Sequence, residues 1–200
     1  MYPSCVNDLI ECFKRLPGIG QKTAERMVFS ILNDFEVDDY DIFSDSIINV
    51  KRNIRRCNIC HSITDKEVCN ICEDKTRNTD ILMVVENSKD VFLLEKNGNF
   101  NGYYHVLGGL ISPFDDIGPD DINVKDICDR ILKDDVKEVV FLVKSCIEAD
   151  TTVLYMKRLL SDVNVKISKV ANGIPVGADM DYIDSLTLES ALNNRKEVLD

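Results

Sequence analysis

Four cysteines in two pairs carry the clearest chemistry. Cys57 and Cys60 form one Cys-x-x-Cys pair, Cys69 and Cys72 another, and eight residues, His61 to Val68, separate them. A two-residue spacer lets the backbone fold back and present both sulfurs to one tetrahedral ion at zinc's bond length of ~2.3 Å. Four thiolates close the coordination sphere and leave no place for a reactive water, so the implied zinc, one per chain, is structural. A pair of redox dithiols is the alternative, but neither Cys-x-x-Cys opens a helix after an apolar strand as such a site requires. His61 adjoins Cys60 and competes poorly where four cysteines already have zinc-binding spacing. Little in Cys57 to Cys72 is apolar, so the metal must supply most of the folding energy of this stretch. The other cysteines, Cys5, Cys12, Cys128 and Cys146, show no pairing and read as small buried hydrophobes.

A second kind of chemistry lies at strand ends. The apolar run Ile81–Val85 stops at Glu86, and the run Val139–Val143 is followed by Glu148 and Asp150. In open α/β sheets, ligands gather beyond the carboxyl ends of the strands. Three carboxylates brought together there could hold one magnesium ion; acids that merely face water are the plainer alternative.

The third signal is a glycine turn between two amphipathic patterns. Leu9, Ile10, Phe13 and Leu16 recur at helical spacing, Pro17-Gly18-Ile19-Gly20 interrupts, and Ala24, Met27, Val28, Ile31 and Leu32 resume the pattern. Glycines at 18 and 20 bare backbone N–H groups at the positive end of the second helix, a phosphate-binding arrangement. Lys22 and Arg26, four residues apart, share the face opposite the apolar stripe. An ordinary helical hairpin with solvated cations fits the same pattern.

Wider patterns supply the elements that position these groups. Helical periodicity continues through Ser44, Ile47, Ile48, Val50 and Ile54. About 55 residues of helix form only a small core, so this part is expected to pack on another module or subunit. Beyond the cysteines, strands (81–85, 103–107, 139–143, 165–170) alternate with helices (88–95, 124–132, 152–160, 183–192). The implied fold is multi-module α/β: an N-terminal helical part, a small four-cysteine zinc module and a C-terminal, mostly parallel sheet. Ser88 is the expected cap of the first of these helices, and His105 falls inside a strand as a packed core residue.

Composition narrows the function classes. Of 200 residues, 44% are hydrophobic and 30% charged, which excludes a disordered tail or a collagen-like chain. No apolar run approaches the ~20 residues of a spanning helix, and the N-terminal residues lack a secretory pattern, so a cytoplasmic location is expected. The net charge is −11, yet residues 81–200 account for −8 of it, with 13 basic and 21 acidic side chains. Lys14, Arg15, Lys22 and Arg26 oppose only Glu25 within 14–26, and Lys51, Arg52, Arg55 and Arg56 cluster without an acid. An acidic protein can therefore meet a polyanion locally.

Residues 16–27, LPGIGQKTAERM, resemble the helix-hairpin-helix element of DNA-binding repair proteins. The order of that element, the four-cysteine module and VVENSKDVFLLEKNGNFNGYYHVLGGLISPFDDIGP resembles the RecR family of bacterial recombination mediators over the whole chain. Gly108 to Pro113 and Gly173 to Gly177 also look like segments of that family. The resemblance implies domains at 1–55 (helix-hairpin-helix), 56–78 (zinc finger), 79–177 (Toprim) and 178–200 (C-terminal helical segment). It also implies a ring-like homo-oligomer, dimer or tetramer, that helps RecO- and RecF-like partners load the recombinase at gapped DNA, without catalysis. One departure stands out: the family's Asn-Pro-Thr and Glu-Gly-Glu-Ala-Thr stretch is Lys144 to Thr152 here, with Ala149 between Glu148 and Asp150 and Lys144-Ser145 in place of Asn-Pro.

Two function classes follow. In the first, Gly18, Gly20, Lys22 and Arg26 hold the DNA backbone, zinc on Cys57, Cys60, Cys69 and Cys72 fixes a hinge, and Glu86, Glu148 and Asp150 contact a partner or magnesium. In the rival, a magnesium-dependent Toprim nuclease, Glu86 acts as acid or base and Glu148 with Asp150 holds metal. A zinc-stabilised protein-binding hub that touches no DNA is a third reading. Asp115, Asp116, Asp120 and Asp121 form an acidic face that could meet a basic partner, with keeping the protein soluble as the plainer reading.

Overall fold

Five consecutive apolar residues have no polar face to offer water, and Ile81–Val85 (β3) accordingly becomes a central strand covered on both sides. This is seen in a computed structural model that describes residues 2–171 and 173–195. The chain divides into two compact units, Met1–Ile54 and Arg55–Asp200.

In the first unit, α1 (Ser4–Lys14) and α2 (Gln21–Asp34) pack as a hairpin around buried Ile10, Ala24 and Val28, with Leu9, Phe13 and Ile19 against them. A third helix, α3 (Val37–Asn53), starts where the Asp39 carboxylate accepts the Glu36 N–H at 2.9 Å, and it buries no residue. Cys5 and Cys12, expected inside, are exposed instead, because the small cluster around Ile10 covers only one stripe of α1. Cys128 and Cys146, also expected inside, are half-buried at the margin of the main core.

The second unit begins with a short antiparallel pair, β1 (Arg55–Arg56) and β2 (Ile63–Thr64), followed by a single helical turn, α4 (Asn70–Glu73). It continues with β3, α5 (Ser88–Asn97), β4 (Tyr103–Val106), α6 (Ile127–Asp134), β5 (Glu138–Leu142), α7 (Ile147–Leu159), β6 (Lys166–Lys169) and α8 (Ser185–Asn193). The four long strands lie in the order β4-β3-β5-β6, all parallel. Alternation along β3 splits the core: Leu82 and Val84 face a cluster with Phe141, Ile127, Ile131 and Met156, while Met83 and Val85 face Val91, Tyr104 and Val106. Among the described residues no helix is long and apolar enough to cross a membrane.

Local polar chemistry moves several boundaries from their expected places. Asn87, not Ser88, caps α5, its side chain accepting the Lys89 N–H at 3.2 Å. The buried Ser88 hydroxyl instead accepts the Ile63 N–H at 3.0 Å, tying the zinc module to the start of α5. Helix α6 starts at Ile127 because the Asn123 N–H is bonded to the Leu107 carbonyl at 2.8 Å, holding residues 122–124 along the strand end. Helix α7 starts at Ile147, ahead of Thr152, with Cys146 as its extended cap residue.

Gly102 is the tightest backbone approach. A Cβ there would lie 2.6 Å from the Ile81 carbonyl oxygen and 2.5 Å from the Phe100 ring. Gly102→Ala is expected to destabilise the second unit by about 1–3 kcal/mol, read as a lowered denaturant midpoint.

Candidate functional site

The four cysteine sulfurs converge. Cys57, Cys60, Cys69 and Cys72 are all buried, with ligand atoms within 4.8 Å of one another. The Cys60 and Cys69 Sγ atoms stand 3.5 Å apart, near the edge of about 3.8 Å that a zinc–thiolate tetrahedron with ~2.3 Å bonds requires. Cys57 Sγ accepts N–H groups from Cys69 at 3.3 Å and Ile59 at 3.5 Å, as a thiolate ligand does. The donor set fits a structural zinc. His61 lies outside it, its Nε2 2.8 Å from Asp126 Oδ2.

The knuckle is fastened to the sheet. Strand β4 is an edge strand, and its Val106 N–H is bonded to the Cys60 carbonyl at 2.8 Å, which covers part of that edge. Buried Arg130 on α6 donates from Nη1 to the Tyr104 carbonyl at 2.6 Å and to the Ile59 carbonyl at 3.3 Å, bridging sheet and knuckle. Ile71 of α4 packs into the cluster with Met83 and Val91.

The strand order sets a crevice at the carboxyl ends of β3 and β5. The chain leaves β3 toward β4 and leaves β5 toward β6, so these neighbouring strands diverge there. Glu86 follows β3, Lys144 follows β5, and Lys144 Nζ lies 3.2 Å from Glu86 Oε1. The pairing with Glu86 raises the Lys144 ammonium above its ordinary value. Glu148 and Asp150 occupy the first turn of α7, favoured there by the helix dipole. Glu148 is held below the usual carboxylate range by its own backbone N–H and the Cys146 thiol. Asp150 is taken by Lys169 at the end of β6, Nζ to Oδ1 2.6 Å. The Gly108 loop closes the crevice: its N–H is bonded to the Glu86 carbonyl at 2.8 Å, and the Ile111 N–H is bonded to Thr152 Oγ1 at 2.8 Å.

In the first unit the glycine turn has the geometry of an anion cradle. Gly18 has φ +81°, which favours glycine, and Gly20 is the extended cap of α2. A Cβ at either glycine would meet nothing within 4 Å, so the space above the turn is open. Helix α2 has no side-chain cap and no acid in its first turn, leaving N–H donors uncovered. Lys22 and Arg26 are exposed on the same helix, and neither joins an ion pair among the described residues. The neighbouring acid, Glu25, instead accepts from Gln21 at 2.7 Å.

A helical hairpin with an open glycine turn, a four-cysteine zinc finger and a four-stranded parallel sheet with acids at its switch point define a class, the helix-hairpin-helix zinc-finger Toprim proteins. Comparison with family models agrees module by module. Residues 6–39 match the RecR helix-hairpin-helix, 54–74 the RecR four-cysteine zinc finger domain, 80–171 the Toprim domain and 173–196 the RecR C-terminal segment. The chain belongs to the RecR family, and its role lies in DNA recombination and repair.

Sequence reasoning missed Lys169, Arg130 and Asp126. Lys169 was findable, since it ends a strand predicted to run parallel to its neighbours and therefore falls at the same edge as Glu86. Lys144 and Lys169 each hold one of these acids. Lys144→Asn combined with Lys169→Asn is expected to tighten magnesium binding relative to the parent by isothermal titration; unchanged affinity would show that the lysines do not compete with the ion.

Proposed function

We propose that the protein is a non-catalytic, DNA-binding recombination mediator that helps RecO- and RecF-type partners load the strand-exchange recombinase at gapped or single-stranded DNA in the bacterial cytoplasm. The observation that carries this reading is the open turn at Gly18 and Gly20, with uncovered N–H donors and the cations Lys22 and Arg26, unpaired among the described residues. Such a surface grips sugar–phosphate and reads no bases. The lysine pairing of Glu86 and Asp150 supports the absence of catalysis, because it occupies carboxylate oxygens that a nuclease needs for magnesium. A Toprim nuclease is the second reading, favoured by the placing of Glu86, Glu148 and Asp150 at the carboxyl end of the sheet, although among the described residues their oxygens do not converge within 4.8 Å as the expected magnesium site would require. Zinc on the four cysteines serves folding in either case.

A homo-oligomer, a ring-like dimer or tetramer, is part of the same proposal. Helix α3 leaves Tyr40, Phe43, Ile47 and Val50 exposed at i, i+3, i+7 and i+10, an apolar stripe along one face suited to a second copy of the chain. The domains are proposed at 1–55, 56–78, 79–177 and 178–200, with Gly18, Gly20, Lys22 and Arg26 as DNA contacts.

Binding is expected to be indifferent to sequence and steep in salt. Lys22→Ala with Arg26→Ala should weaken affinity for gapped duplex uniformly across sequences and flatten the log K against log salt slope by about 2. Fluorescence anisotropy over a salt series measures both; unchanged affinity and slope would remove this face from the DNA site.

A further inference from the structure

We propose that His61, His105 and Asp126 bind a second divalent transition-metal ion, separate from the one suited to the four cysteines. The three residues come from distant parts of the second unit: the zinc knuckle, strand β4 and the residue preceding α6. Their ligand atoms nevertheless lie within 4.8 Å of one another.

The hydrogen bonds show which atoms are free to ligate. His105 Nε2 lies 2.7 Å from the Asn123 carbonyl oxygen. That oxygen can only accept, so Nε2 carries the ring proton and Nδ1 keeps its lone pair. Nδ1 is buried without a partner in a side chain of zero exposure. Donation of one ring N–H to a backbone carbonyl while the other nitrogen stands free is the arrangement that orients metal-binding histidines. Burial lowers the His105 pKa to about 4, opposed in part by its bond to Asn123, which keeps the imidazole in its neutral, ligating form.

The rings are placed for a shared ion. The His61 and His105 ring centres are 5.1 Å apart at 80°. Two imidazoles on one tetrahedral ion, each bonded at ~2.1 Å, hold their ring centres about 5 Å apart. Asp126 Oδ2 accepts a hydrogen bond from His61 Nε2 at 2.8 Å; a bound ion would take the place of that ring proton, which leaves to solvent, and the carboxylate supplies the negative charge. His61 is carried at φ +61°, a backbone that β-carbon-bearing residues seldom adopt, on the turn that the cysteines close.

Two imidazoles and a carboxylate select zinc, cobalt or nickel over magnesium or calcium, whose ligands are oxygens. A cleft of about 410 Å³ whose lining includes Ile59, Asp126 and Arg130 opens on the Asp126 side of the cluster. The nearest fixed cation, Arg130, is already engaged by two carbonyls and has Asp134 Oδ2 3.6 Å from its Nε. An ion here would staple the knuckle to β4 and α6.

The test uses the tag-free full-length protein loaded with cobalt(II), desalted, and analysed for metal by mass spectrometry and visible absorption. Two equivalents per chain are expected in the parent and one in His61→Asn and in Asp126→Asn. Asparagine tolerates the left-handed backbone at 61, and Asp126→Asn leaves the knuckle untouched. The thiolate-to-cobalt charge-transfer band should persist in both variants, while an additional ligand-field band without charge-transfer intensity disappears. A single equivalent in the parent, or a second equivalent that survives both substitutions, would overturn the assignment.

Discussion

The second unit depends on four sulfurs agreeing on one point in space. Of the four aliphatic side chains in residues 57–72, Ile59 and Ile63 are exposed and only Val68 and Ile71 pack on the cysteines, so the order of this segment rests chiefly on tetrahedral thiolate geometry. Structural zinc in small finger peptides contributes an apparent ~10–16 kcal/mol, comparable with or larger than the ~5–15 kcal/mol that separates a whole domain from its unfolded chain. The knuckle's other contacts inherit their positions from that constraint. The Cys60 carbonyl reaches the edge of β4, the Ile59 carbonyl meets Arg130, and His61 is aimed at Asp126 only because the cysteines hold the intervening turn.

The sheet does the complementary work of bringing charges together. A parallel order that diverges at β3 and β5 obliges Glu86 and the start of α7 to share one end. The chain answers the resulting negative field with Lys144 and Lys169, from two different strand ends. Two of the three carboxylates hold ammonium groups, and one of these, Lys144, lies in the 144–152 stretch that departs from the family pattern.

Legibility followed the range of the interaction. The apolar run of β3, the amphipathic hairpin and the cysteine spacing are local signals, and each was readable. Helix starts were read less well, because α5 and α6 begin where side chains or remote carbonyls capture particular N–H groups: Asn87 captures Lys89, and Leu107 captures Asn123. The exposure of Cys5 and Cys12 was invisible in composition, since it depends on how little of α1 the small core covers. The link from His61 to Asp126 spans 65 residues and no periodicity encodes it. His105 was read correctly as buried, yet burial alone hid its unpartnered nitrogen.

The central claim is that this RecR-family protein holds DNA and does not cut it. Incubating the zinc-loaded protein with end-labelled gapped duplex and magnesium, then dividing each sample between a native and a denaturing gel, tests both halves at once. The account predicts a native shift, alone or with a RecO-like partner, and every strand intact on the denaturing gel. Magnesium-dependent products that vanish in Glu86→Gln, or no shift even with that partner, would contradict it.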